Sequence, residues 1–220
     1  CFEQIRVDVC YHKAPVIIIG TGSGLSYASL GPTHHSLEDI AILRTLPEMT
    51  VIAPSDSNEL RLAFREALSL DTPVYIRIGK KGEPEIHKYL NQLNIGESII
   101  LKKGNDVSLI CSGTILSEAI EAGKILDEKG ISVEVVSMHT IKPIDKKYLA
   151  KAAIKFKILV TIEEHGKIGG LGGAVAEWKS NNDIFIPHQI MGTPDEFMHE
   201  VGSQRYARNK FSLIASKIAH

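Results

Sequence analysis

Two adjacent imidazoles, His34 and His35, close the segment Gly31-Pro32-Thr33-His34-His35, and their setting points to proton transfer. Histidine is the side chain whose ordinary titration falls near neutral pH, so a neutral ring accepts a proton or passes one on. Before it stands Val16-Ile17-Ile18-Ile19, a continuous β-branched run of the kind expected for a strand covered on both faces. Gly20-Thr21-Gly22-Ser23-Gly24 follows, a loop with almost no side chains. In open α/β sheets ligands gather at this end of the strands, against helix N-termini. Ser36 with Asp39 three residues on has the form of a capping box, Asp replacing the usual Glu. On that reading His34 stands beside the positive end of a helix, which favours the neutral ring. His35, pointing elsewhere, reads as solvated or structural.

A second chemical cluster is basic. Arg77, Lys80 and Lys81 follow the apolar run Val74–Ile78, at the same sheet edge from which the Gly31 loop emerges. Arg grips an oxyanion with two parallel hydrogen bonds and Lys as a point charge, so Arg77 and Lys80 are candidates for anion binding. The glycine run Gly169-Gly170-Leu171-Gly172-Gly173 does not support a dinucleotide site. Its register against G-x-G-x-x-G puts Val175 at the last glycine, and no acidic residue follows at the expected distance. These glycines read instead as points of close helix approach. Glu164, His165 and His139 read as structural. No set of residues has metal-ligand spacing.

The elements that position these groups alternate between strand and helix. Strand-like runs fall at Val16–Ile19, Thr50–Ala53 and Val74–Ile78, with helical periodicity at Leu37–Arg44 and Glu59–Leu70. Ser55-Asp56-Ser57 supplies cap candidates for the second helix. Further on come a strand at Val107–Cys111, a helix at Ile115–Lys129 ended by Gly130, and strands at Val133–Ser137, Ile158–Glu163 and Phe185–Ile190. A helix opens at Pro143-Ile144-Asp145, another runs through Trp178, and a late one is expected to open at Thr193-Pro194. Such alternation implies right-handed βαβ crossovers and an α/β fold of two parallel-sheet units. The boundaries read as residues 1–88 for the first unit, a linker at 89–95, and 96–220 for the second.

Composition narrows the partners. With 25 basic and 26 acidic residues the net charge is -1, which offers no footprint for nucleic acid or an anionic membrane. No apolar run approaches the roughly 18 to 20 residues of a membrane span. Nothing marks a secretory leader, and the widely spaced Cys1, Cys10 and Cys111 suit free thiols in a reducing cytoplasm. The first residues, Phe2, Ile5, Val7 and Val9, look like an element already under way, so the first unit reads as truncated at its N-terminus.

The longer string Gly31-Pro32-Thr33-His34-His35-Ser36-Leu37-Glu38-Asp39, with Val51-Ile52-Ala53-Pro54-Ser55-Asp56, Thr72-Pro73-Val74-Tyr75-Ile76-Arg77 and Glu163-Glu164-His165-Gly166, resembles the transketolase family of thiamine-diphosphate enzymes. The resemblance covers essentially the whole chain. It implies the latter part of a pyrimidine-binding domain followed by the transketolase C-terminal domain. It also implies transfer of a two-carbon ketol unit between sugar phosphates or related compounds. His34 would then face the reacting centre, while Lys80 and Arg77 would hold the substrate phosphate. Thiamine diphosphate and Mg²⁺ are implied as cofactors. Their main binding residues are not found here, nor is the glutamate that serves the aminopyrimidine. The implied assembly is a homodimer or a complex with a separate diphosphate-binding subunit, inactive without it.

Two positions depart from the sugar-phosphate pattern. The aspartate that family members carry before Gly-Pro-Thr-His is here Leu30, and the histidine they carry after the strand-ending threonine is here Gly22. Leu30 cannot pair with a sugar hydroxyl, which leaves the substrate open. Two alternatives stand beside ketol transfer: the β-subunit of a 2-oxoacid dehydrogenase first component, and a non-catalytic oligomerisation or regulatory partner.

Overall fold

The computed structural model describes residues 1–80 and 82–220, so the basic candidate at Lys81 lies outside the described residues. The apolar runs become the middle strands of two sheets. In the first, β3 (Val74–Ile78) lies between β1 (Ile17–Thr21) and β2 (Thr50–Ile52), parallel to both and almost wholly buried. In the second, β5 (Val107–Ser112) lies between β6 (Val133–Ser137) and β8 (Ile158–Gly166), and β9 (His188–Thr193) extends the parallel set beyond β8. The second sheet has one antiparallel edge, β4 (Ile99–Lys102) against β6. A short β7 (Thr140–Lys142) leaves the second unit and completes the first sheet, antiparallel to β2.

Helices fill the connections. The chain opens with α1 (Phe2–Gln4), which continues as a π-helical stretch over Ile5–Tyr11. The first unit then holds α2 (Asp39–Arg44) and α3 (Ser57–Ala67). The second holds α4 (Leu116–Glu128), α5 (Lys146–Lys155), α6 (Leu171–Asn181), α7 (Gln204–Lys210) and α8 (Ala215–Ile218). Asp56 caps α3 by accepting from the Glu59 amide at 2.8 Å, and Gly130 ends α4 with φ of 80°.

Several expectations are corrected. β1 is not covered on both faces: it is the edge of its sheet, and Val16 and Ile19 are 40% and 47% exposed. The last strand starts at His188 rather than Phe185, which stays out in solvent. Thr193-Pro194 opens an irregular segment, and the late helix begins only at Gln204, where the Ser203 side chain accepts from the Tyr206 amide. No Ser36–Asp39 capping box forms. Glu38 is the N-cap of α2, and Asp39 turns towards β3 instead.

The two units share one core. Ile40, Met49, Val51 and Tyr75 of the first pack in the same cluster as Ile110, Val136, Leu171 and Trp178 of the second. Backbone bonds cross directly, from the Ala53 amide to the His139 carbonyl at 2.7 Å and from the Gly113 amide to the Ala53 carbonyl at 2.9 Å. Buried Glu59 accepts from the Ser55 and Ser137 hydroxyls at 2.8 and 2.6 Å. The polar stretch after β3 is pinned as well, because Asp56 accepts from the Ile86 and His87 amides at 2.7 and 2.6 Å.

Candidate active site

The loop that carries His34 is closed at its neck. Gly24 and Ser36 exchange two backbone bonds of 3.0 Å each, so residues 25–35 leave the sheet edge and return to the same place. Leu25 and Ala28 anchor the loop in the core. Gly31 sits at φ 82°, a conformation side chains disfavour, and there the chain turns into a short 3₁₀ turn over Pro32–His34. His34 ends that turn exposed, its Nδ1 3.0 Å from the Thr33 hydroxyl. It therefore does not stand at the start of α2, as the capping reading required. His35 is half-buried, with an Nε2 that has no partner, and burial pushes its pKa down.

Arg77 secures the neck. It is 3% exposed; its Nε meets both Asp39 oxygens at 2.9 and 3.1 Å, and its Nη2 donates to the Ser36 and Glu164 carbonyls at 2.5 and 3.0 Å. The Tyr75 hydroxyl donates to Asp39 at 2.6 Å. Burial raises the Asp39 carboxyl, but Arg77 and Tyr75 together hold it below the usual carboxylate range. A guanidinium turned inward in this way serves the loop, so Arg77 stands as a strut rather than as an open oxyanion fork.

Glu164 grips the neck from the second unit. It is 2% exposed and accepts from the Leu25 amide at 2.6 Å, from Gln204 Nε2 at 2.8 Å and from Arg208 Nε at 2.5 Å. A Cβ on Gly24 would lie 2.6 Å from the Glu164 carbonyl oxygen, so only glycine admits this approach. Next to it, Glu163 accepts from the Leu171 and Gly172 amides at the start of α6, at 2.7 and 2.8 Å, and burial pushes its pKa up to about 7. His165 accepts from the Ala41 amide at 3.4 Å through Nε2, and its Nδ1 lies 2.8 Å from the Gly166 carbonyl. Burial, with the Arg77 charge, pushes the His165 pKa down to about 4, the neutral form that accepts at one nitrogen and donates at the other.

Lys80 is exposed. Its Nζ lies 4.8 Å from the centre of the Tyr27 ring, and that ring lies 6.5 Å from the His34 ring. Tyr27 thus neighbours both sequence candidates, while the Arg77 side chain is buried. Beside Lys80 is a cavity of about 240 Å³ lined by Ser55, Asp56, Ser57, Gly79, Glu83 and Thr114 among others. Sequence reading missed Tyr27; the signal lay in one aromatic residue set in a loop of glycines and serines. Among the described residues no group of three or more His, Cys, Asp or Glu is placed to hold a metal ion, and no helix is long and apolar enough to cross a membrane.

Family comparison matches residues 1–83 to the transketolase pyrimidine-binding domain and residues 96–212 to the transketolase C-terminal domain. The chain belongs to the transketolase family. It is 38% identical over 195 residues to one subunit of an apulose-4-phosphate transketolase from Phocaeicola vulgatus, covering 88% of this chain and 62% of that one. It is 37% identical over 216 residues to a 6-deoxy-6-sulfo-D-fructose transketolase subunit of a Clostridium species, covering 98% and 66%. The chain thus spans less than two thirds of these transketolase subunits. A solved split-gene transketolase, an inactive β4 tetramer, superimposes with a TM-score of 0.89 at 36% identity, over 99% of this chain and 68% of that one.

Proposed function

We propose that this chain is the pyrimidine-side and C-terminal section of a split transketolase-type enzyme, which moves a two-carbon ketol unit between sugar phosphates or related compounds. The observation that carries the reading is the exposed His34 on a loop fixed at its neck by Arg77 and Glu164, with Lys80 near by. Ketol transfer needs protons moved to and from hydroxyl and carbonyl oxygens as carbon–carbon bonds break and form. His34 is the group for that task, and Lys80 is the charge for a substrate's anionic end.

Thiamine diphosphate, when bound, supplies the nucleophilic carbon that accepts the two-carbon unit. Of this chain's residues, exposed His34 would face its reacting end. We assign the metal and the diphosphate end to a separate subunit in a cytoplasmic complex, a division that likeness to subunits of split transketolases supports. Kinship with transketolase subunits, including one that forms an inactive β4 tetramer, supports a chain that is silent alone. The test is calorimetric titration of thiamine diphosphate and Mg²⁺ into the chain, with and without its partner subunit. Tight binding by the complex and none by the chain alone is expected; micromolar binding with ketol transfer by the chain alone refutes the division of labour.

A further inference from the structure

Gly22 and Tyr27 are coupled. Gly22 sits at φ 82°, and a Cβ there would fall 2.2 Å from Cε2 of the Tyr27 ring, so the ring occupies the space a side chain at position 22 would need. The loop bearing Gly22 is tied to the segment bearing Lys80, since the Ser23 amide donates to the Ile78 carbonyl at 2.9 Å. Between the two segments so joined, the Lys80 ammonium lies 4.8 Å from the centre of the Tyr27 ring. Of the described residues near this contact, position 22 has no side chain, Leu30 is aliphatic and half-exposed, and the Arg77 guanidinium is turned inward.

We infer that Tyr27 is a positioning residue that sets substrate specificity, its ring holding the Lys80 ammonium as a point-charge cradle for the tetrahedral oxyanion at the end of a small acyclic or sugar-like substrate. The inference rests on the proposed function and deepens it. A ring face attracts a cation and keeps a flexible lysine at one place over the loop. A lone ammonium does not impose the paired, planar geometry that an arginine fork demands of its anion. The cradle therefore takes a phosphate or a sulfonate end alike, and it discriminates against neutral substrates rather than between these anions.

The test uses the full chain in complex with its partner subunit, with ¹³C-labelled lysine, titrated with inorganic phosphate and with inorganic sulfate as probes. Free protein should show the Lys80 side-chain resonance shifted upfield by the ring, with saturable changes on adding either anion. Tyr27→Leu should abolish the ring shift and weaken both anions about 2- to 5-fold, the worth of an exposed cation–π contact. Tyr27→Phe keeps the ring and should restore both readouts. In a Lys80→Ala background the Tyr27→Leu effect on anion affinity should vanish. Unchanged affinity in Tyr27→Leu, additive effects of the two substitutions, or saturable binding of only one anion overturns the inference; should Tyr27→Leu not fold, a Tyr27→Phe variant without the ring shift overturns it as well. Intact anion titration in a complex devoid of ketol transfer counts against the proposed function and upholds the cradle.

Discussion

Replacing Glu164 by glutamine tests whether the second unit holds the His34 loop in place. The side chain is 2% exposed and faces Arg208, itself 11% exposed, at 2.5 Å, so the substitution leaves a nearly buried guanidinium without its counter-charge. The Arg208 bond to the Thr114 hydroxyl, at 3.3 Å, is long and neutral and does not compensate. Breaking one side of a buried ion pair costs about 3 to 5 kcal/mol; the lower end applies here, because a glutamine oxygen still accepts from the Leu25 amide. In a chain of this size about 3 kcal/mol lowers the melting temperature by roughly 6 to 12 °C. Turnover should fall too, by about 10²-fold, since a shift of about 1 Å in a positioned catalytic group costs that much. The assay pairs thermal denaturation with ketol transfer in the reconstituted complex. Glu164→Gln with Arg208→Met should recover much of the lost stability, as the orphaned charge is gone. A melting shift under about 2 °C for Glu164→Gln alone, or strictly additive effects in the double variant, would refute the reasoning.

His34→Ala should reduce turnover of the reconstituted enzyme by about 10² to 10⁴-fold, while the melting temperature barely moves, because the ring is exposed and its hydrogen bond is to the neighbouring Thr33; near-normal turnover, with His35→Ala inactive, reverses the assignment. For pH dependence, Glu163 and His165 pull in opposite directions. Burial raises Glu163 from 4.5 to about 7, so the folded state binds the extra proton in that window, and this contribution is full below 4.5 and lost as pH rises to 7. His165 is lowered from 6.5 to about 4, so its contribution is full above 6.5 and lost as pH falls to 4. Each is worth on the order of 3 kcal/mol across its window, and the two offset one another between 4.5 and 6.5. Glu163→Gln should therefore lose stability more steeply than the native chain on acidification, measured by urea denaturation at a series of pH values; parallel curves would contradict this.

The buried inner strands were legible because Val, Ile and Leu dominate them: β3, β5 and β6 read as short apolar runs broken only by single polar residues such as Arg77, Ser108 and Glu134. β1 opens on an unbroken apolar run, Ile17-Ile18-Ile19, yet lies at an edge, and a local run carries no information about how many neighbours a strand acquires. β7 has only three residues, too few for any period, and its place against β2 is set by the fold. The Ser36–Asp39 cap failed for a long-range reason, since Asp39 has a better partner in Arg77, a pairing that spacing within one helix cannot reveal. At the site, His34 and Lys80 stood out by residue type. Arg77 also stood out by type, but its place within a strand left both an outward and an inward guanidinium open, and its partners Asp39, Ser36 and Glu164 lie too far along the chain to decide between them locally. Tyr27 acquires its position from a missing side chain at Gly22 and from Lys80 across the loop, so neither local pattern nor charge pointed to it.

The central claim is that this chain, joined to a diphosphate-binding subunit, transfers a ketol unit. The most direct measurement supplies the complex with thiamine diphosphate, Mg²⁺, a ketose-phosphate donor labelled with ¹³C at its first two carbons, and an unlabelled aldose acceptor, and follows the label by NMR. The adjacent label pair is expected intact in a ketose two carbons longer than the acceptor, only when both subunits are present, and strongly reduced by His34→Ala. No transfer by the reconstituted complex, together with oxidative decarboxylation of a 2-oxoacid by the same preparation, would contradict the claim.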